Sequence, residues 1–368
     1  MLVRGCCALL PVSTRKEPAM SDASPGDLEE QSQALRERVL ASGLYLHEIE
    51  EFSVARATYA RVAQRVGVLA DLGSLATPES RNIVRKVHLT DGSSAVLKVI
   101  GNVREPGEGE VLDAWRKVGL PCVGALDWGY ERVRLHGQTR HTSWLLTEFL
   151  PLPPMHLGDG LDAAGRVATV QRLVRFMRRF HFSKATVTSA RSWAERVNLH
   201  LRWTLPLIRR HDLAEPEGWT TKLAAACRRG NALVHGDPAG KNVLVTKEGS
   251  YVLLDPPGAL LAPREADIAQ IASYVGCAGA RGAAEKAADV AVLIQQALEA
   301  DQTLNPAMAA LFAGINLFTW SGYFLANHCG PYTQQSCGDD LENPAIAESN
   351  AKAYLAVARE LVAEFEID

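Results

Sequence analysis

The sequence predicts an α+β chain of two lobes, a small β-rich N-terminal lobe and a larger, mainly helical C-terminal lobe. Three observations predict it. Two runs rich in β-branched residues, 82–89 (NIVRKVHL) and 94–100 (SAVLKVI), flank Thr90-Asp91-Gly92-Ser93, and Asp-Gly between such runs is a strong hairpin signal. Pro151, Pro153 and Pro154 end an apolar strand at 142–150 and mark the lobe boundary. Beyond them the apolar spacing becomes helical over most of the chain. With 368 residues, 47% of them hydrophobic, the chain can bury one large core or two modest ones.

In order along the chain, residues 1–27 read as a disordered leader, with Met20 an alternative start. Their single short apolar run is interrupted by charge and makes a poor signal peptide. Residues 28–150 form the expected N-terminal lobe. It opens with helical segments over 28–70, in which Leu35, Val39 and Leu40 share a face. The hairpin follows, then a short helix at 109–118 broken by Gly119 and Pro121, then the strand at 142–150. Residues 151–368 form the second lobe, with helices at 166–182, 191–210, 216–229, 265–275, 283–300, 306–326 and 344–366. A loop and two short strands, 243–245 and 251–254, interrupt them.

Composition narrows the function. The formal net charge is -3, without the basic excess of a nucleic-acid binder. No apolar run suggests a membrane span, so the expectation is a cytoplasmic protein. Seven cysteines lack metal-ligand spacing and read as reduced thiols, with Cys329 and Cys337, eight apart in a Gly/Pro-rich stretch, the candidate pair for a bond.

The chemistry concentrates in LVHGDPAGKNVLV (233–245) and YVLLDPPG (251–258). Two short strands joined by Lys247-Glu248-Gly249-Ser250 pair antiparallel, which brings the residue before the first beside the residue after the second. Asp237, Asn242 and Asp255 therefore converge. Oxygens from an Asp and an Asn suit Mg²⁺, which takes a few protein oxygens and leaves the rest to water and phosphate. The other Asp can accept a proton from an alcohol. Phosphoryl transfer also needs a cation on the nucleotide phosphates. Lys98, late in the second hairpin strand, is the candidate, and Glu108 or Glu110 could pair with it.

Val96-Leu97-Lys98, His235-x-Asp237-x4-Asn242 and Asp255-Pro-x-Gly258 together resemble the two-lobed protein-kinase-like fold. More narrowly they resemble the aminoglycoside phosphotransferase family, in the style of its streptomycin-kinase-like and hydroxyurea-kinase-like members. The resemblance covers about residues 72–330. It implies ATP and Mg²⁺ as cofactors, with Asp237 as catalytic base and Asn242 and Asp255 as metal ligands. It also implies that Lys98 binds the α/β-phosphates, held by Glu110, with Glu108 the alternative. Glu148 to Leu150 would be the hinge whose backbone bonds adenine. His235 and Asp267 would steady the catalytic loop. No glycine-rich phosphate loop precedes the hairpin, and residues 76–84, with backbone amides near Ser80, stand in its place.

Other features carry blander expectations. Trp193, Trp203 and His200 should pack in the core, and Arg175, Arg178 and Arg179 should form a solvated helix face. Between the last two helices, Asp339, Asp340 and Glu342 are candidate acceptor-binding carboxylates through the resemblance. The expected function is ATP-dependent phosphorylation of a hydroxyl on a small soluble acceptor, of aminoglycoside type. The alternatives are a metabolic kinase of an amino alcohol or sugar, a pseudokinase, and a protein kinase. The last is disfavoured because no Ala-Pro-Glu-type anchor follows Asp255.

Overall fold

The computed structural model describes residues 25–42, 46–76, 80–103, 107–155, 161–184, 191–230, 232–238, 240–256, 260–279, 281–325 and 344–367. A five-stranded antiparallel sheet organises the first lobe. Its strands are β1 (Val68–Ser74), β2 (Ile83–Leu89), β3 (Ser94–Ile100), β4 (Ala125–Leu135) and β5 (Gln138–Glu148), in the order β1-β2-β3-β5-β4. The β2–β3 hairpin turns at Thr90–Ser93, where Gly92 takes φ +87° and the Asp91 side chain accepts from the Ser93 amide at 2.9 Å. Asp-Gly suits this turn because glycine adopts positive φ without strain.

Alternation gives the sheet two different faces. On one, Ile83, Val87, Leu97 and Val99 are buried against α1 (Pro25–Ser42) and α2 (Leu46–Arg65), which add Leu35, Phe52, Tyr59 and Val62 to a single core. Arg85 lies in this core as well, and its Nε donates to both oxygens of Asp71 at 2.9 Å. Such a buried guanidinium is tolerated because it is paired. The opposite face carries Val84, Lys86, Val96 and Lys98 toward the second lobe.

Two expectations for this lobe fail. Residues 28–70 are not all helical, since the chain leaves α2 at Arg65 and starts β1 at Val68. Gly67, at φ +72°, makes that reversal. The sheet also has a strand, β4, that the sequence reading left out. It is an edge strand whose outward residues are largely charged, so its apolar alternation is faint. In addition, α1 begins at Pro25, inside the expected leader.

Helix α3 (Glu108–Lys117) puts its buried Val111, Leu112 and Trp115 into the large core that the second lobe builds. Its Trp115 is fully buried, edge-on to Phe180 with ring centroids 4.6 Å apart, and lies 5.5 Å from the His235 ring. The second lobe comprises α4 (Ala163–His181), α5 (Trp193–Arg210), α6 (Trp219–Arg228), α7 (Glu265–Cys277), α8 (Ala283–Ala300), α9 (Pro306–Leu325) and α10 (Pro344–Ala363). Short strands β6 (Arg191–Ser192), β7 (Ala232–Val234) and β10 (Leu260–Ala262) form a small sheet, and β8 (Val243–Val245) pairs with β9 (Tyr251–Leu253). Helix α9 is long and apolar enough to cross a membrane, contrary to the expectation that no segment would be. It is a core helix: 72% of its apolar window is buried inside the protein. Trp193 packs in that core, and Arg175, Arg178 and Arg179 are exposed on α4.

The β8–β9 hairpin is fastened to the α3–β4 loop of the first lobe and to the segment after β5 that joins the lobes. Leu253 donates to the Pro121 carbonyl at 2.9 Å and accepts from the Val123 amide at 3.1 Å. On its other edge, Met155 donates to Val243 at 2.7 Å and Val245 to Pro153 at 3.0 Å. The α+β architecture of a small sheet lobe and a larger helical lobe is therefore the one expected.

Candidate active site

The loop between β7 and β8 is built around a buried carboxylate. Asp267, on the first turn of α7, is 0% exposed. Its oxygens accept from the His235 amide and the Gly236 amide, both at 2.7 Å, and from His181 Nε2 at 2.9 Å. Burial works against its charge, but the His181 and His235 rings and the Gly236 N–H outweigh it and hold the carboxyl below the usual range. Gly236 takes φ +83°, which glycine allows without strain. The Gly236 carbonyl accepts from Arg196 of α5.

His235 is fully buried and faces two backbone groups. Its Nδ1 accepts from the Asp237 amide at 3.2 Å, so Nε2 carries the proton and donates to the Leu254 carbonyl at 2.8 Å. Burial pushes its pKa down, and a neutral ring satisfies both bonds. The imidazole thus ties the β7–β8 loop to the end of β9.

Asp237 is held by two donors. Asn242 Nδ2 reaches its Oδ2 at 3.0 Å and its backbone carbonyl at 2.9 Å. The Tyr274 hydroxyl donates to Oδ1 at 2.8 Å and accepts from Gln270 at 3.0 Å. Burial, then the Asp237 charge, raise the Tyr274 pKa well above its ordinary value, so the phenol remains a donor. Tyr274 lies beside Trp320, with centroids 5.4 Å apart. Sequence reasoning missed Tyr274, Gln270, Arg196 and His181. His181, Gln270 and Tyr274 carry a signal, as polar residues among apolar neighbours in their helices.

Asp255 reaches the same place from β9. The ladder runs one step past the strands through the Leu254 amide, which donates to Asn242 at 2.8 Å, so Asp255 emerges beside the β7–β8 loop. It takes φ +54°, a left-handed conformation that Asp tolerates better than most residues, and its side chain is 43% exposed. Lys98 bridges from the sheet. Its Nζ donates to Asp255 and to both oxygens of Glu108, at 2.9 and 2.7 Å. Burial disfavours its charge, but the two carboxylates prevail and hold the ammonium above its ordinary range.

Glu110 is therefore not the partner of Lys98. Glu108 lies four and seven residues before Leu112 and Trp115, on the buried face of α3. Glu110 instead turns back to accept from the Gly107 amide at 2.9 Å and caps the helix. Ser80 accepts through its carbonyl from Gln31 at 2.9 Å. Glu148 ends β5, and its carboxylate accepts from the Gly124 amide at 2.7 Å. Leu150 packs beside the large core. Phe149, between them, lies under Lys86 Nζ at 3.9 Å from the ring centroid. Asp339, Asp340 and Glu342, like Cys329 and Cys337, lie outside the described residues.

A buried lysine–glutamate pair, a half-exposed Asp255 and an Asp237 fixed by Asn242 and Tyr274 thus meet between the sheet lobe and the helical lobe. Residues 75–304 match the phosphotransferase enzyme family (APH), and the chain belongs to that family. It is a kinase of small-molecule hydroxyls. The structure of amicoumacin kinase hAmiN with AMP-PNP, Ca2+ and Ami is 14% identical and superposes over 82% of this chain and 93% of its own, with a TM-score of 0.51. An aminoglycoside phosphotransferase from Alicyclobacillus acidocaldarius is 16% identical over 82% of this chain and 96% of its own, at a TM-score of 0.45. A choline/ethanolamine kinase family protein from Mesorhizobium loti is 15% identical over 83% and 98%, also at 0.45. No curated protein sequence matches the chain.

Proposed function

We propose that the chain transfers the γ-phosphate of ATP to a hydroxyl of an aminoglycoside-type acceptor, with Asp237 as the base. One observation carries the reading: a carboxylate fixed by two neutral donors, Asn242 and Tyr274, beside a half-exposed Asp255. Hydrogen bonds from both sides orient Asp237 without neutralising it, so it can align the acceptor hydroxyl and take its proton. Lys98, kept charged by Asp255 and Glu108, would face the nucleotide phosphates, and the Glu148–Leu150 backbone would meet the base.

Asn242 and Asp255 fit a magnesium ion. The amide nitrogen of Asn242 is committed to Asp237, which leaves its oxygen for a cation, and Asp255 adds a carboxylate oxygen. When bound, the ion would neutralise charge on the phosphate oxygens. The aminoglycoside choice draws on Asp339, Asp340 and Glu342, carboxylates suited to ammonium groups. A second reading, an amino-alcohol acceptor, is favoured by the aromatic pair Tyr274–Trp320 next to the base, since a compact cation can rest on such faces.

An ATP-consumption screen across aminoglycosides, peptide antibiotics and amino alcohols tests the proposal. Turnover should require an acceptor and magnesium. Asp339→Asn with Asp340→Asn should raise the Michaelis constant of an aminoglycoside and leave that for ATP unchanged. Turnover on amino alcohols alone would select the second reading.

A further inference from the structure

Helices α1 and α2 precede residue 75, where the family match begins. We propose that this helix pair sets the conformation of the nucleotide loop, and that Gln31 is the positioning residue through which it governs ATP affinity. The proposal rests on the nucleotide reading of residues 76–84 given above.

Gln31 is 4% exposed, and its one amide nitrogen donates to two loop carbonyls, Ser80 at 2.9 Å and Asn82 at 3.0 Å. Between them, Arg81 turns to α2, where its Nη1 lies 3.4 Å from Glu48 and 3.5 Å from Glu51. Glu48 is also bound by Arg38 of α1, so the two helices and the loop share one ionic cluster. The same α2 residue holds the other end of the hairpin. Glu51 accepts from Asn102 at 2.6 Å, and its carbonyl lies against Gly101 so closely that an added Cβ would sit 1.6 Å from the oxygen. The loop before β2 and the turn after β3 are thus fixed to one scaffold, and Lys98 stands on β3 between them.

Peptide geometry converts this grip into a nucleotide effect. In a trans peptide the carbonyl and the following N–H point in opposite directions. Drawing the Ser80 carbonyl toward α1 turns the Arg81 N–H to the side away from that helix. A glycine-rich loop would leave such amides to find phosphate by flexing. Here Gln31 presets one, and nucleotide binding then has less backbone freedom to lose.

Gln31→Met keeps the side chain's length and removes both donors. The Michaelis constant for ATP should rise about five- to tenfold, the worth of roughly one hydrogen bond. Turnover at saturation and the acceptor's Michaelis constant should stay within about twofold, and amides 80–83 should exchange hydrogen faster. An unchanged constant for ATP overturns the proposal. So does a variant that loses melting temperature while ATP and acceptor constants move together, because Gln31 is then only structural. Wild-type turnover is measured first, and its absence would defeat the functional reading instead. Should Gln31→Met not fold, wild-type hydrogen exchange decides: amides 80–83 should open together with α1, and fast exchange beside a protected α1 overturns the claim.

Discussion

Asp267 and Asp255 are both aspartates of the same site, yet the protein treats them in opposite ways. Asp267 is fully buried and accepts from three protein donors. Asp255 leaves 43% of its side chain in solvent, holds a left-handed backbone and meets Lys98. Donors from the chain itself satisfy the first carboxylate, so its work is finished on folding. The second keeps an open side, where a ligand can complete it. Asp237 lies between these extremes, with one donor on each oxygen and its orientation fixed.

If this contrast is right, substitutions should separate turnover from stability. The largest effect belongs to Asp237→Asn. Turnover should fall about 10²- to 10⁴-fold, the usual worth of a general base, while calorimetric affinity for magnesium-ATP stays near wild type. Asp267→Ala comes next, and it should act on the fold. It leaves the His235 and Gly236 amides and His181 without their shared acceptor, at a cost of about 3 to 5 kcal/mol in denaturant unfolding. Asp255→Ala should do the reverse: stability close to wild type, with magnesium-ATP binding weakened and partly restored by added Mg²⁺. Equal destabilisation by the two alanines would erase the distinction.

Tyr274→Phe sharpens the comparison further, since it removes one of the donors that orient Asp237 and little volume. Turnover should drop about tenfold, with both Michaelis constants nearly unchanged. The smallest effect is one of pH. Burial lowers the His235 pKa from its usual 6.5, so the unfolded chain binds the proton more readily. That contribution to stability is complete above about pH 6.5 and is lost as pH falls below it, at up to about 1.4 kcal/mol per unit. Asn in place of His235 should flatten this part of the melting-temperature profile.

The parts of this site legible in the sequence are those fixed by local geometry. A short hairpin brings Asp255 to Asn242 whatever else the fold does, so their convergence follows from spacing alone. The fold class was equally plain, because an Asp-Gly hairpin followed by helical periodicity leaves few alternatives. The partner of Lys98 was not, because Glu108 and Glu110 differ only in the phase of a helix whose first turn also needs a cap. Tyr274 reaches Asp237 across 37 residues, and no local pattern announces such a bond. Strand β4 stayed hidden because an edge strand bears charges where a central one bears valines.

Transfer of label from γ-labelled ATP, followed for wild type and Asp237→Asn with the best acceptor, tests whether Asp237 is the base. Label should appear on an acceptor hydroxyl with wild type and hardly at all with the variant, at equal nucleotide occupancy. Equal transfer by the two proteins, or label found only in free phosphate with every acceptor, would contradict it.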